Sequence, residues 1–171
     1  MTQIAVTVLG TDQPGIIAST AAALASSGMN LEDSSMTLLR GHFAMTLICS
    51  GEASVAELKT ALAPMASSSL TVDVREIPGE GEHPPLGDLY LVTVHGADRL
   101  GIVAQLAAVV AAAGGNITDL TTRLSGTLYV LVAEVDLPAA TDKDELERQL
   151  GMTAADLGVV ASLRAVERDE L

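Results

Sequence analysis

Two stretches of this chain set an acidic residue between two glycines at the same spacing. Gly10-Thr11-Asp12-Gln13-Pro14-Gly15-Ile16-Ile17 and Gly96-Ala97-Asp98-Arg99-Leu100-Gly101-Ile102-Val103 share the pattern G-x-D-x-x-G-I-[IV]. Each follows an apolar, β-rich run and enters an Ala-rich stretch with helical periodicity. Each then reaches Gly-x-Asn, at Gly28-Met29-Asn30-Leu31 and at Gly114-Gly115-Asn116-Ile117. The first N–H groups of a helix lack intrahelical partners and carry the positive end of its dipole, so they suit a carboxylate. Gly15 and Gly101 would let a small ligand approach that backbone closely. Asn30 and Asn116 offer amides that donate and accept. Asp12 and Asp98 can receive an ammonium group or can cap the helix. A zwitterionic amino acid carries both groups that this set could satisfy. Turns and helix caps use the same residue types, so local chemistry leaves both readings open.

The Gly, Asp, Gly and Asn positions of the two copies are each 86 residues apart. A shared offset across four residue types marks a duplication, giving two units of roughly 80 residues each, within the usual range of small domains. In the first unit, residues 3 to 9 form a buried strand with Ile4, Val6 and Val8 on one face. Pro14 is expected in the first helical turn. The helix then carries Ile17, Thr20, Ala21 and Leu24 on its inner stripe and ends at Gly28. Asn30 to Leu39 is a strand, Arg40-Gly41-His42 a turn, and Phe43 to Ser50 a strand. Ser54 and Glu57 form a capping box for a helix that buries Val55, Leu58, Leu62 and Met65. Leu70 to Ile77 closes the unit.

The second unit repeats this order. Leu89 to His95 is a strand, and Leu100 to Ala113 a helix with Val103, Leu106 and Val110 inside. Asn116 to Leu124 and Leu128 to Leu137 are strands. A helix capped by Thr141 or Asp142 carries Leu146 and Leu150, Val159 to Val166 is the last strand, and a charged tail follows. The order β-α-β-β-α-β predicts an α+β fold of two tandem ferredoxin-like units. Each is a four-stranded antiparallel sheet with two helices on one face. The expected boundaries are 1–77 and 89–171. The linker, 78–88, is rich in Pro and Gly and contains His83.

Bulk properties narrow the function. With 22 acidic and 9 basic residues the net charge is −13, and the basic residues form no run or stripe. That disfavours direct nucleic-acid binding, which draws on Lys and Arg at phosphates, and attachment to anionic membranes. No apolar run reaches the length of a membrane span. The single Cys49 reads as a buried strand thiol and fits a cytoplasmic protein. His42, His83 and His95 lack zinc-site spacing and stand near no nucleophile motif. G-x-D-x-x-G is no dinucleotide fingerprint. No cofactor, metal or catalytic residue is expected.

The succession of strand, G-x-D-x-x-G-I, helix, G-x-N-[LI] and strand resembles the ACT domain, across residues 3 to 77 and 89 to 167. Two such domains in tandem look like the glycine cleavage system transcriptional repressor group. The resemblance implies a regulatory protein that binds an amino acid where two ACT domains meet, between the first β-α loop and the start of the second strand. Carried over residue by residue, the expected site comprises Asp12, Gln13, Pro14, Gly15 and Ile16 with Asn30 and Leu31. Its second copy comprises Asp98, Arg99, Leu100, Gly101 and Ile102 with Asn116 and Ile117. Arg99-Leu100 departs from the Pro-Gly form that the first copy keeps, so the sites are expected to differ in ligand preference, or one to be vestigial. The expected partners are a small amino acid, glycine or serine first, and a transcriptional regulator or metabolic enzyme contacted as protein. A ligand-free structural adaptor is the alternative. Exposed sheet edges are expected to pair, either with the two units forming a pseudo-dimer with an extended eight-stranded sheet or with sheets stacking between chains, and a homo-oligomer is expected.

Overall fold

The computed structural model describes residues 2–78 and 87–166; His83, most of the expected linker and the charged tail from Glu167 lie outside the described residues. The elements are β1 (Thr2–Thr11), α1 (Ile16–Ser26), β2 (Asn30–Leu39), β3 (His42–Gly51), α2 (Val55–Leu62), β4 (Leu70–Ile77), β5 (Asp88–Ala97), α3 (Ile102–Ala112), β6 (Asn116–Ser125), β7 (Leu128–Leu137), α4 (Lys143–Asp156) and β8 (Val159–Ala165). The chain divides into two compact units, 1–82 and 83–171. Each unit has the βαββαβ order and one antiparallel sheet, ordered β2-β3-β1-β4 in the first and β6-β7-β5-β8 in the second. The expected α+β fold is the fold observed.

Each sheet buries one face. In the first unit, Ile4, Val6 and Val8 of β1 lie with Met45, Leu47 and Cys49 of β3 beneath Leu24 of α1 and Leu58 and Leu62 of α2. In the second, Val92, Val94, Leu131 and Val135 meet Leu106 and Val110 of α3 and Leu146 and Leu150 of α4. Alternation with period two is what assigns these residues to one face. Cys49 is fully buried, and that burial, with Glu32 adding to it, holds its thiol above the ordinary value.

Four expectations need correction. The inner stripe of α1 is Ile16, Thr20 and Leu24, and that of α3 is Ile102, Leu106 and Val110. Ile17 is 51% exposed and Val103 36%, because each helix starts only after the second glycine of its motif, at Ile16 and at Ile102 rather than at Leu100. Pro14 therefore lies in the turn before Gly15, not in the first helical turn. His42 opens β3 opposite Thr11 and does not sit in the turn. Met65 lies beyond α2 in a short 3-10 turn, Ala63–Met65.

Candidate functional site

The two motifs leave β1 and β5 at corresponding ends of their sheets. In the first unit the loop is held from two sides. The N–H of Thr11 donates to the carbonyl of Ser69 at 2.8 Å, and that of Asp12 to the carbonyl of Gly41 at 3.1 Å. Gly15 then turns the chain into α1 with φ 93° and ψ −3°. Gly101 does so for α3 with φ 92° and ψ 0°. This left-handed conformation is disfavoured by a Cβ, which explains the second glycine of the motif.

The first glycine has a different reason, which the sequence reading missed. Gly10 pairs with Leu70 inside the sheet. A Cβ there would overlap the Ser69 carbonyl oxygen and stand 2.7 Å from Leu70 Cα. Gly96 pairs with Val159, where a Cβ would lie 2.9 Å from Val159 Cα. The motif thus joins one glycine of close strand approach to one of left-handed backbone. Only the register reveals the first.

The helix N-termini set these loops apart from the rest of the molecule. Neither α1 nor α3 has a side-chain cap or an acidic residue in its first turn. The other two helices have both. Ser54 caps α2 in a capping box with Glu57. Asp142 caps α4 by accepting from the Glu145 N–H at 3.0 Å, with Asp144 and Glu145 in the first turn. Asp12 and Asp98 are exposed and cap nothing, since the N-cap residues are Gly15 and Gly101. The carbonyls of those glycines accept from Ser19 and Gln105, each at 2.9 Å. Two helix N-termini with their positive ends open, each preceded by an uncommitted carboxylate, are a geometry for a group of opposite charge at either position.

Each loop borders an open hollow. In the first unit it measures about 460 Å³, with Gln13, Pro14, Gly15 and Ser19 facing Ser67 and Ser69. In the second it measures about 520 Å³ and runs from Asp98 to Ala104, with Tyr129 opposite. Gln13, Arg99 and Leu100 are exposed. Arg99 enters none of the ion pairs among the described residues, and its guanidinium lies beside Gly158. Ile16 and Ile102 are buried in the cores, so only their backbone faces the hollow.

Asn30 and Asn116 lie elsewhere. Asn30 pairs with Ser50, and Ser50 with Gln3, whereas the loop leaves the sheet where Thr11 pairs with His42. At a strand rise of about 3.3 Å per residue, those ends are roughly 25 Å apart. Asn116 likewise pairs with Asp136 beside Leu89, remote from Ala97. A single unit therefore holds the loop and the asparagine at opposite ends. Leu31 at 45% exposure and the half-buried Ile117 accompany the asparagines.

A profile of the ACT domain matches residues 2–75 and 88–164. The chain belongs to the ACT domain family. Over 170 residues it is 24% identical to the glycine cleavage system transcriptional repressor of Escherichia coli, covering 95% of this chain and 90% of that one. It is 42% identical over 77 residues to a UPF0237 protein of Methanopyrus kandleri, covering 43% of this chain and 84% of the relative. A crystal structure of an unknown protein from Galdieria sulphuraria superposes with a TM-score of 0.78 at 28% identity, covering 97% of this chain and 99% of that one.

In this tandem ACT protein the remaining chemistry is sparse. Among the described residues no cluster of three or more His, Cys, Asp or Glu could hold a metal ion. No helix among them is long and apolar enough to cross a membrane. His42 and His95 stand in strands.

Proposed function

We propose that this ACT protein is a non-catalytic, cytoplasmic regulator that senses a small amino acid, glycine or serine first. It transmits occupancy to a transcriptional regulator or metabolic enzyme through protein contact. The supporting observation is the contrast among the helices: α2 and α4 close their N-termini with their own side chains, whereas α1 and α3 leave theirs open. A ligand carboxylate would meet the open N–H groups after Gly15 or Gly101, and its ammonium would meet Asp12 or Asp98. Asn30 or Asn116 would come from an apposed ACT domain, since one domain holds them at the far end of its sheet. The similarity to the glycine cleavage system transcriptional repressor of Escherichia coli supports a regulatory role linked to glycine.

Ligand size bounds the affinity. Glycine has five heavy atoms, and at about −1.5 kcal/mol per atom its ceiling is about −7.5 kcal/mol. That is a dissociation constant of roughly a few micromolar, adequate for an abundant metabolite. Ligand changes partner affinity only if it binds the free and partnered forms unequally.

Calorimetric titration with glycine, serine, and branched and sulfur-containing amino acids tests the reading. Saturable heat is expected, and Gly15→Leu or Gly101→Leu should each remove one class of site without unfolding the protein. Absence of heat at millimolar ligand would instead favour a ligand-free adaptor, a reading supported by the exposed edge strands β2 and β6.

A further inference from the structure

The two units pack differently between their first helix and the strand that follows it. In the second unit the space between α3 and β6 is filled. Leu106 of α3 and Leu120 of β6 line it with Ala133, and only about 10 Å³ is left. The positions 86 residues earlier carry Thr20 and Ser34. Thr20 turns its hydroxyl back to the Ile16 carbonyl at 2.8 Å. Ser34 stands opposite Leu47, as Leu120 stands opposite Ala133, and its side chain is too short to cover the gap. A hollow of about 170 Å³ remains between α1 and β2.

The walls of this hollow are apolar. The buried Met45 and Leu47 of β3 form its floor. Ile17 and Ala21 of α1 and Leu31 and Met36 of β2 form its sides. Ile17, Leu31 and Met36 are all exposed, and large apolar side chains left open around one concavity mark a binding site. No Asp, Glu, Lys or Arg lines the hollow, although the chain has 22 acidic residues. A charged ligand would lose its water there without gaining a partner. The hollow therefore suits an uncharged molecule and not the zwitterion proposed for the loops. It is also a separate place, since neither the stretch from Asp12 to Gly15 nor Asn30 lines it.

Size and chemistry narrow the class. An apolar cavity of about 150 Å³ is large enough for a benzene ring. Met36 and Met45 are cross-strand partners, where the second unit pairs Thr122 with Leu131. Thioethers adapt to irregular shapes and make favourable contacts with ring edges. The Ser34 hydroxyl, on the same strand face as Met36, adds one polar group at the rim.

We infer that the first unit holds a compact, uncharged aromatic or aliphatic molecule of about six to eight heavy atoms in the hollow between α1 and β2, and that the second unit does not. The space admits one ring and not the row of side chains that a helix or strand of another protein would bring. One copy of the repeat is thereby specialised for an apolar ligand, independently of any amino acid at the loops.

Benzene is the probe, and the full chain with isotope-labelled methionine methyl groups reports on it. Saturable shifts of the Met36 and Met45 methyls are expected at millimolar benzene, with Met65 and Met152 unmoved. Ser34→Leu supplies the leucine that the second unit has, and Ala21→Leu fills the same space from the helix. Both positions are exposed, so each variant should keep the wild-type circular dichroism and lose the benzene shifts. A wild type without saturable shifts, or shifts that persist in either folded variant, would overturn the proposal. So would Met36 and Met45 methyl signals that move on dilution of the protein alone, because a second copy would then cover the hollow.

Discussion

Gly15 and Gly101 hold the same left-handed backbone conformation, with φ of 93° and 92°, 86 residues apart. Each turns a strand into a helix whose first N–H groups meet no side chain. The left-handed region costs an L-residue about 1–2 kcal/mol. Gly15→Ala and Gly101→Ala should each destabilise their domain by about 1 kcal/mol in urea denaturation, since neither site is crowded enough to add a clash. Asn, which tolerates this region, should cost less than Ala.

The first glycine of the motif should respond more severely. Gly10→Ala places a methyl group against the Ser69 carbonyl and the Leu70 backbone, neither of which is the end of a flexible side chain. Overpacking costs about 1–3 kcal/mol and occasionally more, and a clash with backbone that cannot swing aside belongs at the upper end. Equilibrium unfolding should therefore rank Gly10→Ala well below Gly15→Ala in stability.

Helix α2 depends on its own cap. The Ser54 N–H donates to Glu57 at 2.8 Å, and the Glu57 N–H donates to Ser54 Oγ at 3.3 Å. Ser54→Ala should cost about 1 kcal/mol in thermal or urea unfolding. An Ala scan of the first turn of α1 contains no equivalent cap to lose.

The first turn of α4 carries a pH signature. The Arg148 guanidinium, helped by the Gln149 amide, pulls the Glu145 carboxyl down from 4.5 to about 2. Because the folded value is depressed, its contribution is fully present above pH 4.5 and is lost as pH falls through about 2. The group is exposed, so the effect on global stability is small, and the local titration is the sharper readout. Carboxyl NMR of Glu145 should show a midpoint near 2 that moves up towards 4.5 in Arg148→Ala.

Much of this fold was legible because the repeat supplied two readings of one pattern. Asn30–Leu39, Leu70–Ile77 and Leu128–Leu137 begin and end where turn and alternation signals place them, and the Ser54 capping box is local chemistry written in four residues. The choice between Ile16 and Ile17 was not legible. Both are apolar in an Ala-rich helix, and the turn at Gly15 decides which faces the sheet. The separation of Asn30 from the Asp12 loop was also hidden, since nearness in sequence across one helix says nothing about which end of the sheet each occupies. Strand register supplied that answer, as it supplied the reason for Gly10.

In the proposed function, the open N-termini of α1 and α3 receive an amino-acid carboxylate. Titrating the isotopically labelled full chain with glycine and with serine, and following its backbone amide resonances, tests this at the atoms concerned. Saturable shifts are expected at the amides of Gly15, Ile16 and Ile17 and of Gly101, Ile102 and Val103, with Ser54 to Glu57 unmoved. Shifts that fall elsewhere, or a spectrum unchanged at millimolar concentrations of both amino acids, would contradict it.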